Sequence, residues 1–244
     1  MYWSEETVAF LRDAMAVNDY YGVIARRIAP HLARTDRVCD AGCGMGGLSL
    51  ALRPYCAAVT AADRSALALS QLETRPHEGV TPLLCDASAL RPGQPFDAMV
   101  FCLFGRTEDA LTIAARCCSG RVFLVKRDYA YHRFSAGQVS LGEFTARCAE
   151  ETLLSRGIPY AAERFTAEFG QPFRTLEAAE RFMAIYDRSG APLSRAEIEK
   201  RLVPGPSAEF PYYLRHEKHL ALFRFETKDI GGETHGKKTS ADLR

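Results

Sequence analysis

Residues 38–47 read Val-Cys-Asp-Ala-Gly-Cys-Gly-Met-Gly-Gly, and this stretch decides the fold. Its apolar beginning predicts a β-strand, and the leucine-rich residues 48–52 that follow it predict a helix. A glycine-rich turn between them lets a ligand approach the backbone, because glycine has no Cβ and tolerates a positive φ. The spacing alone is ambiguous, since Gly42, Gly44 and Gly47 also satisfy the G-x-G-x-x-G fingerprint of dinucleotide-binding proteins.

Asp40, two residues before the first glycine, separates the two interpretations. A carboxylate at this point would repel a pyrophosphate and would suit a ligand that carries a positive ammonium group. S-adenosylmethionine is such a ligand. The sequence resembles the class I (Rossmann-like) S-adenosylmethionine-dependent methyltransferases, whose first motif is an acidic residue, any residue and then G-x-G-x-G. Asp40, Gly42, Gly44 and Gly46 match that motif, and the resemblance implies that they bind this cofactor. A glycine turn without a ligand is the alternative.

Two further carboxylates follow predicted strands. Asp63 ends the second strand, where a carboxylate can accept hydrogen bonds from both hydroxyls of a ribose. Alternatively, Asp63 caps the helix that begins near Ser65. Arg64 is expected to line the same rim. The resemblance implies that Asp86 and Ala87, at the end of the third strand, bind adenine; a surface carboxylate is the alternative at Asp86.

The end of the fourth strand and the glycine turn supply the remaining cofactor residues. The resemblance implies that Cys102 and Phe104 face the methionine portion of the cofactor and the methyl acceptor, and Cys43 is expected near the ligand because it lies inside the turn. An Asn/Asp-Pro-Pro-aromatic run, typical of enzymes that methylate adenine amino groups, is absent after this strand. This predicts a different substrate class.

Strands and helices alternate from residue 36 onward, which predicts a doubly wound α/β fold. The resemblance implies a mostly parallel seven-stranded sheet with an antiparallel last strand. We expect an N-terminal helical cap over 1–35, a Rossmann-like domain over 36–228 and a helical insert over about 170–213. Residues 229–244 turn polar and glycine-rich, which predicts a disordered tail. A helix is also expected over 141–155.

Composition narrows the class of protein. The 244 residues include 31 basic and 30 acidic side chains, for a net charge of +1. This balance does not favour nucleic acid or an anionic membrane as a partner. The beginning of the sequence lacks the basic region of a secretory signal, and no apolar stretch approaches the roughly 20 residues of a membrane span. We therefore expect a cytoplasmic protein whose eight cysteines are reduced. No metal is expected, although a site built from scattered cysteines stays open.

No motif as specific as that for the cofactor identifies the methyl acceptor. A thiolate or amine needs little acid–base help, because alignment and exclusion of water supply much of the acceleration, whereas a phenol or alcohol needs a base. His132, in an aromatic and ionisable run after the fifth strand, is the candidate base, with a solvated loop histidine as the alternative. Tyr21 is the second candidate catalytic residue. His216 and His219 are expected to be surface residues.

These observations predict a methyltransferase that uses S-adenosylmethionine, releases S-adenosylhomocysteine and acts on a small molecule. Three alternatives remain. An RNA or protein substrate would require a basic face, for which the candidate residues are Arg26, Arg27, Arg34, Arg127 and Arg133. A non-catalytic protein would hold the cofactor without turnover. A nicotinamide-dependent oxidoreductase would use the glycine turn for a dinucleotide. The oligomeric state is not predicted.

Overall fold

Ten β-strands and eight α-helices form within residues 3–231, the part of the chain that the computed structural model describes. The strands are β1 (Arg37–Ala41), β2 (Ala58–Asp63), β3 (Val80–Leu84), β4 (Phe96–Cys102), β5 (Cys118–Arg127), β6 (Ala161–Glu168), β7 (Gln171–Phe173), β8 (Val203–Pro204), β9 (Tyr212–Leu214) and β10 (Glu217–Glu226). The helices are α1 (Glu5–Val17), α2 (Tyr20–Ile28), α3 (Gly47–Leu52), α4 (Ala66–Glu73), α5 (Thr107–Cys117), α6 (Ala146–Ser155), α7 (Leu176–Tyr186) and α8 (Arg195–Arg201).

Seven of the strands form one central sheet in the order β3-β2-β1-β4-β5-β10-β6. The pairs among β1 to β5 are parallel, whereas β10 runs antiparallel to both β5 and β6. The predicted fold class, a mostly parallel seven-stranded sheet with an antiparallel last strand, is therefore confirmed. Because the strand order reverses next to β1, the carboxyl ends of β1 and β4 lie at the switch point where ligands bind in open α/β sheets.

Both faces of the sheet are buried, which explains the nearly continuous apolar runs in the strands. Cys39 and Ala41 of β1 belong to the core under α5 and α6, whereas Val38 belongs to the core under α2 and α3. Since side chains alternate along a strand, Asp40 lies on the same face as Val38. The carboxylate of the motif thus points to the side of the sheet that the N-terminal helices cover.

The N-terminal helices connect the sheet to the insert. Ser4 begins α1 through a reciprocal capping box with Thr7. The ring of Phe10 in α1 packs edge-on against Phe173 and Phe182 of the insert, with centroids 6.1 and 5.2 Å apart. The helix therefore shares the insert's apolar core, while α2 packs on the central sheet.

The insert contains more than the expected helices. Besides α7 and α8 it holds a second, antiparallel sheet in the order β7-β9-β8. The three strands have only two or three residues each, too few to show an alternating pattern in the sequence. They position the turn that leads into β10.

The boundaries of α6 and of the C-terminal segment differ from those expected from the sequence. The helix expected from residue 141 begins at Ala146, because Gly142 has a φ of +56° and residues 142–144 form a single 3₁₀ turn. Within the predicted tail, Ile230 packs on the core, and residues 232–244 lie outside the described part. No helix within residues 3–231 is long and apolar enough to cross a membrane.

Candidate functional site

The glycine turn between β1 and α3 has the backbone that its sequence predicts. Gly42, Gly44 and Gly46 have φ angles of +74°, +56° and +69°. A side chain at any of these positions would be strained, since only glycine adopts this region freely. The alternating glycines therefore keep the chain turning over the ends of β1 and β2.

The N–H groups of this turn are already bonded to the protein. Those of Gly42 and Cys43 donate to the carbonyl oxygen of Ala62 at 2.8 and 3.1 Å. That of Gly44 donates to the Asp63 carboxylate at 2.8 Å, and that of Gly46 donates to the carbonyl of Cys43 at 3.0 Å. A phosphate at a glycine loop is held by free N–H groups. This turn has four of them occupied, which argues against a dinucleotide.

Asp40 is 1 % exposed and lies beside the beginning of α3. Its carboxylate accepts a hydrogen bond from the Ser49 hydroxyl at 2.6 Å. Burial raises the pKa of Asp40 to about 6, although the bond from Ser49 opposes that change. A negative group already stands at the helix N-terminus that a pyrophosphate would require, and it would attract a ligand's cation.

Asp63 fixes the turn at the end of β2. One carboxylate oxygen accepts the Gly44 N–H, and the other accepts the Ser65 N–H at 2.9 Å. Ser65, not Asp63, is the N-cap of α4, because its hydroxyl accepts the N–H of Ala68. The capping alternative for Asp63 is therefore not what the structure shows. Arg64, next to it, is exposed.

The end of β3 lies beside this edge. Asp86 is exposed and accepts hydrogen bonds from the N–H and hydroxyl of Ser88, at 2.8 and 2.7 Å. These bonds lower the pKa of Asp86. Ala87 is buried and packs in the core beneath the loop. Asp86 thus caps a short 3₁₀ turn, and its carboxylate stays ionised at neutral pH.

Three aromatic side chains pack on the glycine turn. A Cβ added to Gly42 would lie 2.2 Å from Cδ2 of Phe104, and one added to Gly47 would lie 2.5 Å from Tyr21. The ring of Trp3 would be 2.9 Å from a Cβ on Gly44. Trp3 was not among the predicted site residues. Its only sequence signal is its place next to the capping box of α1, which says nothing about a ligand.

The segment after β4 is held in an unusual conformation. Leu103 has a φ of +53°, the only positive value for a non-glycine residue within 3–231. The ammonium group of Lys126 donates to the carbonyl oxygens of Gly105 and Phe104 at 2.9 and 3.4 Å. Lys126 is 1 % exposed, and burial lowers its pKa to about 8. This buried lysine fixes the loop that carries Phe104, and strain of this kind is concentrated at functional sites.

A second group of side chains, here called the polar pocket, consists of Tyr20, Arg127, Tyr129, His216 and Lys218. These residues come from α2, from the carboxyl end of β5 and the loop after it, and from the beginning of β10 with the turn before it. The rings of Tyr20 and Phe169 stack with centroids 4.3 Å apart, and the ammonium of Lys218 lies 4.8 and 4.5 Å from those centroids. Tyr129 lies against His216 at 6.4 Å.

Burial dominates the electrostatics of the polar pocket. Burial, with a smaller contribution from the positive charge of Arg127, lowers the pKa of Lys218 to about 7. The pKa of His216 falls to about 3, through burial and then through Lys218. The expectation that His216 is a surface residue is wrong, since it is only 8 % exposed. Phe134, 4.7 Å from His216 between ring centroids, covers it.

The two predicted catalytic residues lie in different places. Tyr21 packs on the glycine turn beside Cys43, Asp40 and Cys102, and burial raises its pKa, so its hydroxyl stays protonated. His132 bonds to the Ser135 hydroxyl at 2.9 Å, and its ring lies edge-on to Phe134 with centroids 5.8 Å apart. Burial lowers the pKa of His132, which is therefore neutral at pH 7. His132 neighbours the polar pocket and not the turn.

All eight cysteines are free. Burial raises the pKa of Cys102 to about 12 and also raises that of Cys43, so both thiols stay protonated near neutral pH. No group of three or more His, Cys, Asp or Glu side chains within residues 3–231 is arranged to hold a metal ion.

Solved structures that are similar to this chain identify its fold. A proposed type II methyltransferase from Anaeromyxobacter dehalogenans matches with a TM-score of 0.54 and 19% identity, over 86% of this chain and 97% of its own. A proposed methyltransferase from Bacillus halodurans matches with a TM-score of 0.52 and 16% identity, over 84% and 98%. The chain has the class I methyltransferase fold.

A third solved structure shares the fold and adds nothing about activity. The YcgJ protein from Bacillus subtilis matches this methyltransferase fold with a TM-score of 0.53 and 17% identity, over 84% of this chain and 97% of its own. No family model and no curated protein matches the sequence. At these identities the likeness establishes the fold, and the activity has to be argued from the site.

The glycine turn of this methyltransferase fold gives a first test. Replacing Gly42 by alanine should lower the free energy of unfolding by at least about 1–2 kcal/mol, because its φ of +74° strains any side chain and the new Cβ would collide with the Phe104 ring. Urea titration of the variant measures the loss. Gly137→Ala is the matched control, since no atom lies within 4 Å of a Cβ there. Equal stability of the two variants would show that the turn does not need its conformation.

Proposed function

We propose that this protein is an S-adenosylmethionine-dependent methyltransferase that acts on a small-molecule acceptor by direct in-line transfer. One observation carries the proposal: the glycine turn has its N–H groups occupied and a buried carboxylate at the start of α3. That arrangement disfavours a phosphate and favours a cationic ligand without phosphate. A nucleoside with an amino-acid tail and a sulfonium is such a ligand.

The described residues fit this cofactor group by group. Asp63, already aligned by Gly44 and Ser65, would accept the ribose hydroxyls with its remaining lone pairs. Asp86 and Ala87 would bind adenine, and Arg64 would line the rim beside them. The turn residues Asp40, Gly42, Cys43, Gly44 and Gly46 would hold the methionine portion. Cys102 at the end of β4 and Phe104 on the loop that Lys126 fixes would lie next to the methyl group.

When bound, S-adenosylmethionine supplies a methyl carbon whose bond to sulfur breaks as the acceptor's lone pair attacks, leaving a neutral thioether. The chain's own contribution is alignment and exclusion of water. Trp3, Tyr21 and Phe104 pack on the turn and form apolar walls there. In this proposal Tyr21 orients the acceptor as a hydrogen-bond donor, since its raised pKa makes it a poor base. His132, neutral at pH 7, takes the proton of a hydroxyl acceptor.

The surface favours a small molecule over RNA. Of the five arginines that a basic face would require, Arg26 pairs with Asp19 at 2.6 Å and Arg27 pairs with Glu163 at 3.1 Å. Arg127 and Arg133 lie at or beside the polar pocket. Acidic partners therefore neutralise two of the five arginines on which a continuous positive face for nucleic acid would depend.

Methyl transfer tests the proposal. The protein is incubated with methyl-labelled S-adenosylmethionine and separate pools of small molecules, RNA and protein, and S-adenosylhomocysteine is measured. We expect product with a small-molecule pool only. Product with RNA or protein alone would overturn the substrate class. Cofactor binding without product in any pool would favour a non-catalytic protein.

A further inference from the structure

The polar pocket contains polar atoms that have no partner in the protein. The Tyr20 hydroxyl is buried in a residue only 1 % exposed and makes no hydrogen bond to any described residue. Both ring nitrogens of His216 are buried and unbonded in the same way. Buried polar groups are nearly always paired, and leaving one unpaired lowers stability. Three such atoms around one pocket indicate a ligand.

The pocket also brings basic side chains together without a compensating carboxylate. Among the described residues, no carboxylate oxygen lies within 4 Å of the charged nitrogens of Arg127 or Lys218. The neighbouring Asp128 is paired instead with Arg164 at 3.3 Å. Arg133 stands at the rim, 5.3 Å above the Tyr129 ring. Bringing unpaired cations together in partly buried surroundings destabilises a protein unless an anion joins them.

The position of the pocket links it to the proposed reaction. Side chains alternate along strands, so Cys102 of β4, Arg127 of β5 and Lys218 of β10 all point to the face of the sheet that α2 covers. Asp40 of β1 lies on that face as well. A cofactor held at the β1 end therefore has the polar pocket beside it, along the same edge.

We propose that the polar pocket binds an oxyanion group of the methyl acceptor, a carboxylate or a phosphate, through Lys218, Arg127 and the Tyr20 hydroxyl. The inference rests on the proposed function and adds the substrate class. Stacked Tyr20 and Phe169, together with Phe134, give the pocket aromatic walls. The acceptor is thus expected to carry its charge on an apolar or aromatic body.

A matched set of probes tests the charge preference. Small aromatic compounds are compared as carboxylate, phosphate ester and uncharged amide, by thermal shift with saturating S-adenosylhomocysteine. We expect stabilisation by the charged forms only. Comparison of the carboxylate with the phosphate ester then identifies which oxyanion the site prefers. Stabilisation by amides as strong as by the acids, or by no charged compound, would overturn the proposal.

Variants then assign the effect to the pocket. Lys218→Met should weaken binding of the charged probe by at least about tenfold, with S-adenosylhomocysteine affinity within about twofold of the original. Tyr20→Phe, which removes only the unpartnered hydroxyl, should also weaken binding of the charged probe. Lys200→Met, on the exposed side of α8, is the control and should change neither affinity. Unchanged probe binding in both pocket variants would overturn the assignment.

Thermal stability separates a binding role from a structural one. Without ligand, Lys218→Met should raise the midpoint of unfolding, by about 2–4 °C, because it removes a basic group whose charged form burial and Arg127 disfavour. A lower midpoint would mean that Lys218 mainly supports packing on Tyr20 and Phe169, and would contradict the proposal. The failures are distinguishable: a wild-type protein that does not bind S-adenosylhomocysteine refutes the proposed function, whereas one that binds it without preferring charged probes refutes only this inference.

Discussion

Replacing Asp63 by alanine should weaken binding of S-adenosylhomocysteine by about 1.5–3 kcal/mol, or roughly 10–150-fold. Two losses combine in this variant. The ribose hydroxyls would lose a charged acceptor, and the Gly44 N–H would lose the carboxylate that holds the glycine turn in place, at 2.8 Å. Calorimetric titration of the folded variant measures the change in affinity.

Asp97→Ala is the matched control for this result. Asp97 also accepts a main-chain N–H at 2.8 Å, from Arg37, but at the amino ends of β1 and β4, away from the glycine turn. Asp63→Ala loses carboxylate bonds to two main-chain N–H groups and Asp97→Ala loses one, so both variants report what a general loss of carboxylate-to-backbone bonding does to affinity. Unchanged affinity in Asp63→Ala, or an equal loss in Asp97→Ala, would refute the ribose assignment.

Asp40→Asn should stabilise the ligand-free protein at pH 8 by up to about 3 kcal/mol. Burial raises the pKa of Asp40 from 3.8 to about 6, so the folded protein binds its proton more tightly than the unfolded chain does. The contribution of Asp40 to stability is therefore fully present below about pH 4 and is lost as the pH rises through 6. Asparagine removes this dependence and still offers Ser49 an acceptor.

The pH profile makes this prediction specific. Urea unfolding of both proteins between pH 5 and 8 should show a stability gain that grows with pH and levels off above about pH 7, one unit beyond the raised pKa. A gain of equal size at every pH would contradict a buried, ionising Asp40. In the same variant, affinity for S-adenosylhomocysteine should fall, because the negative charge that favours the ligand's ammonium is lost. An unchanged affinity would remove Asp40 from the cofactor site.

The sequence predicted the sheet and the glycine turn because both depend on short-range patterns. Apolar runs alternating with helical periodicity require a doubly wound sheet, and the alternating glycines after Asp40 require left-handed backbone at Gly42, Gly44 and Gly46. The ends of β2 and β3 were likewise marked by Asp63 and Asp86, since a carboxylate seldom continues a buried strand.

What the sequence did not predict depends on contacts between distant segments. Lys126 was not assigned a role, because only the fold brings its ammonium group to the loop after β4. His216 was expected on the surface, yet Phe134 of another loop buries it. Lys218 and Tyr20 are far apart in the chain and meet only where β10 passes α2. Local periodicity carries no information about contacts between distant segments. The residues around the acceptor were therefore harder to predict than those around the cofactor.

Titration calorimetry with S-adenosylhomocysteine, with NAD in parallel, tests the central claim most directly. The occupied N–H groups of the glycine turn and the buried Asp40 predict micromolar binding of S-adenosylhomocysteine and no binding of NAD. Binding of NAD, or of neither compound, would contradict the assignment of this turn to a cationic, phosphate-free cofactor.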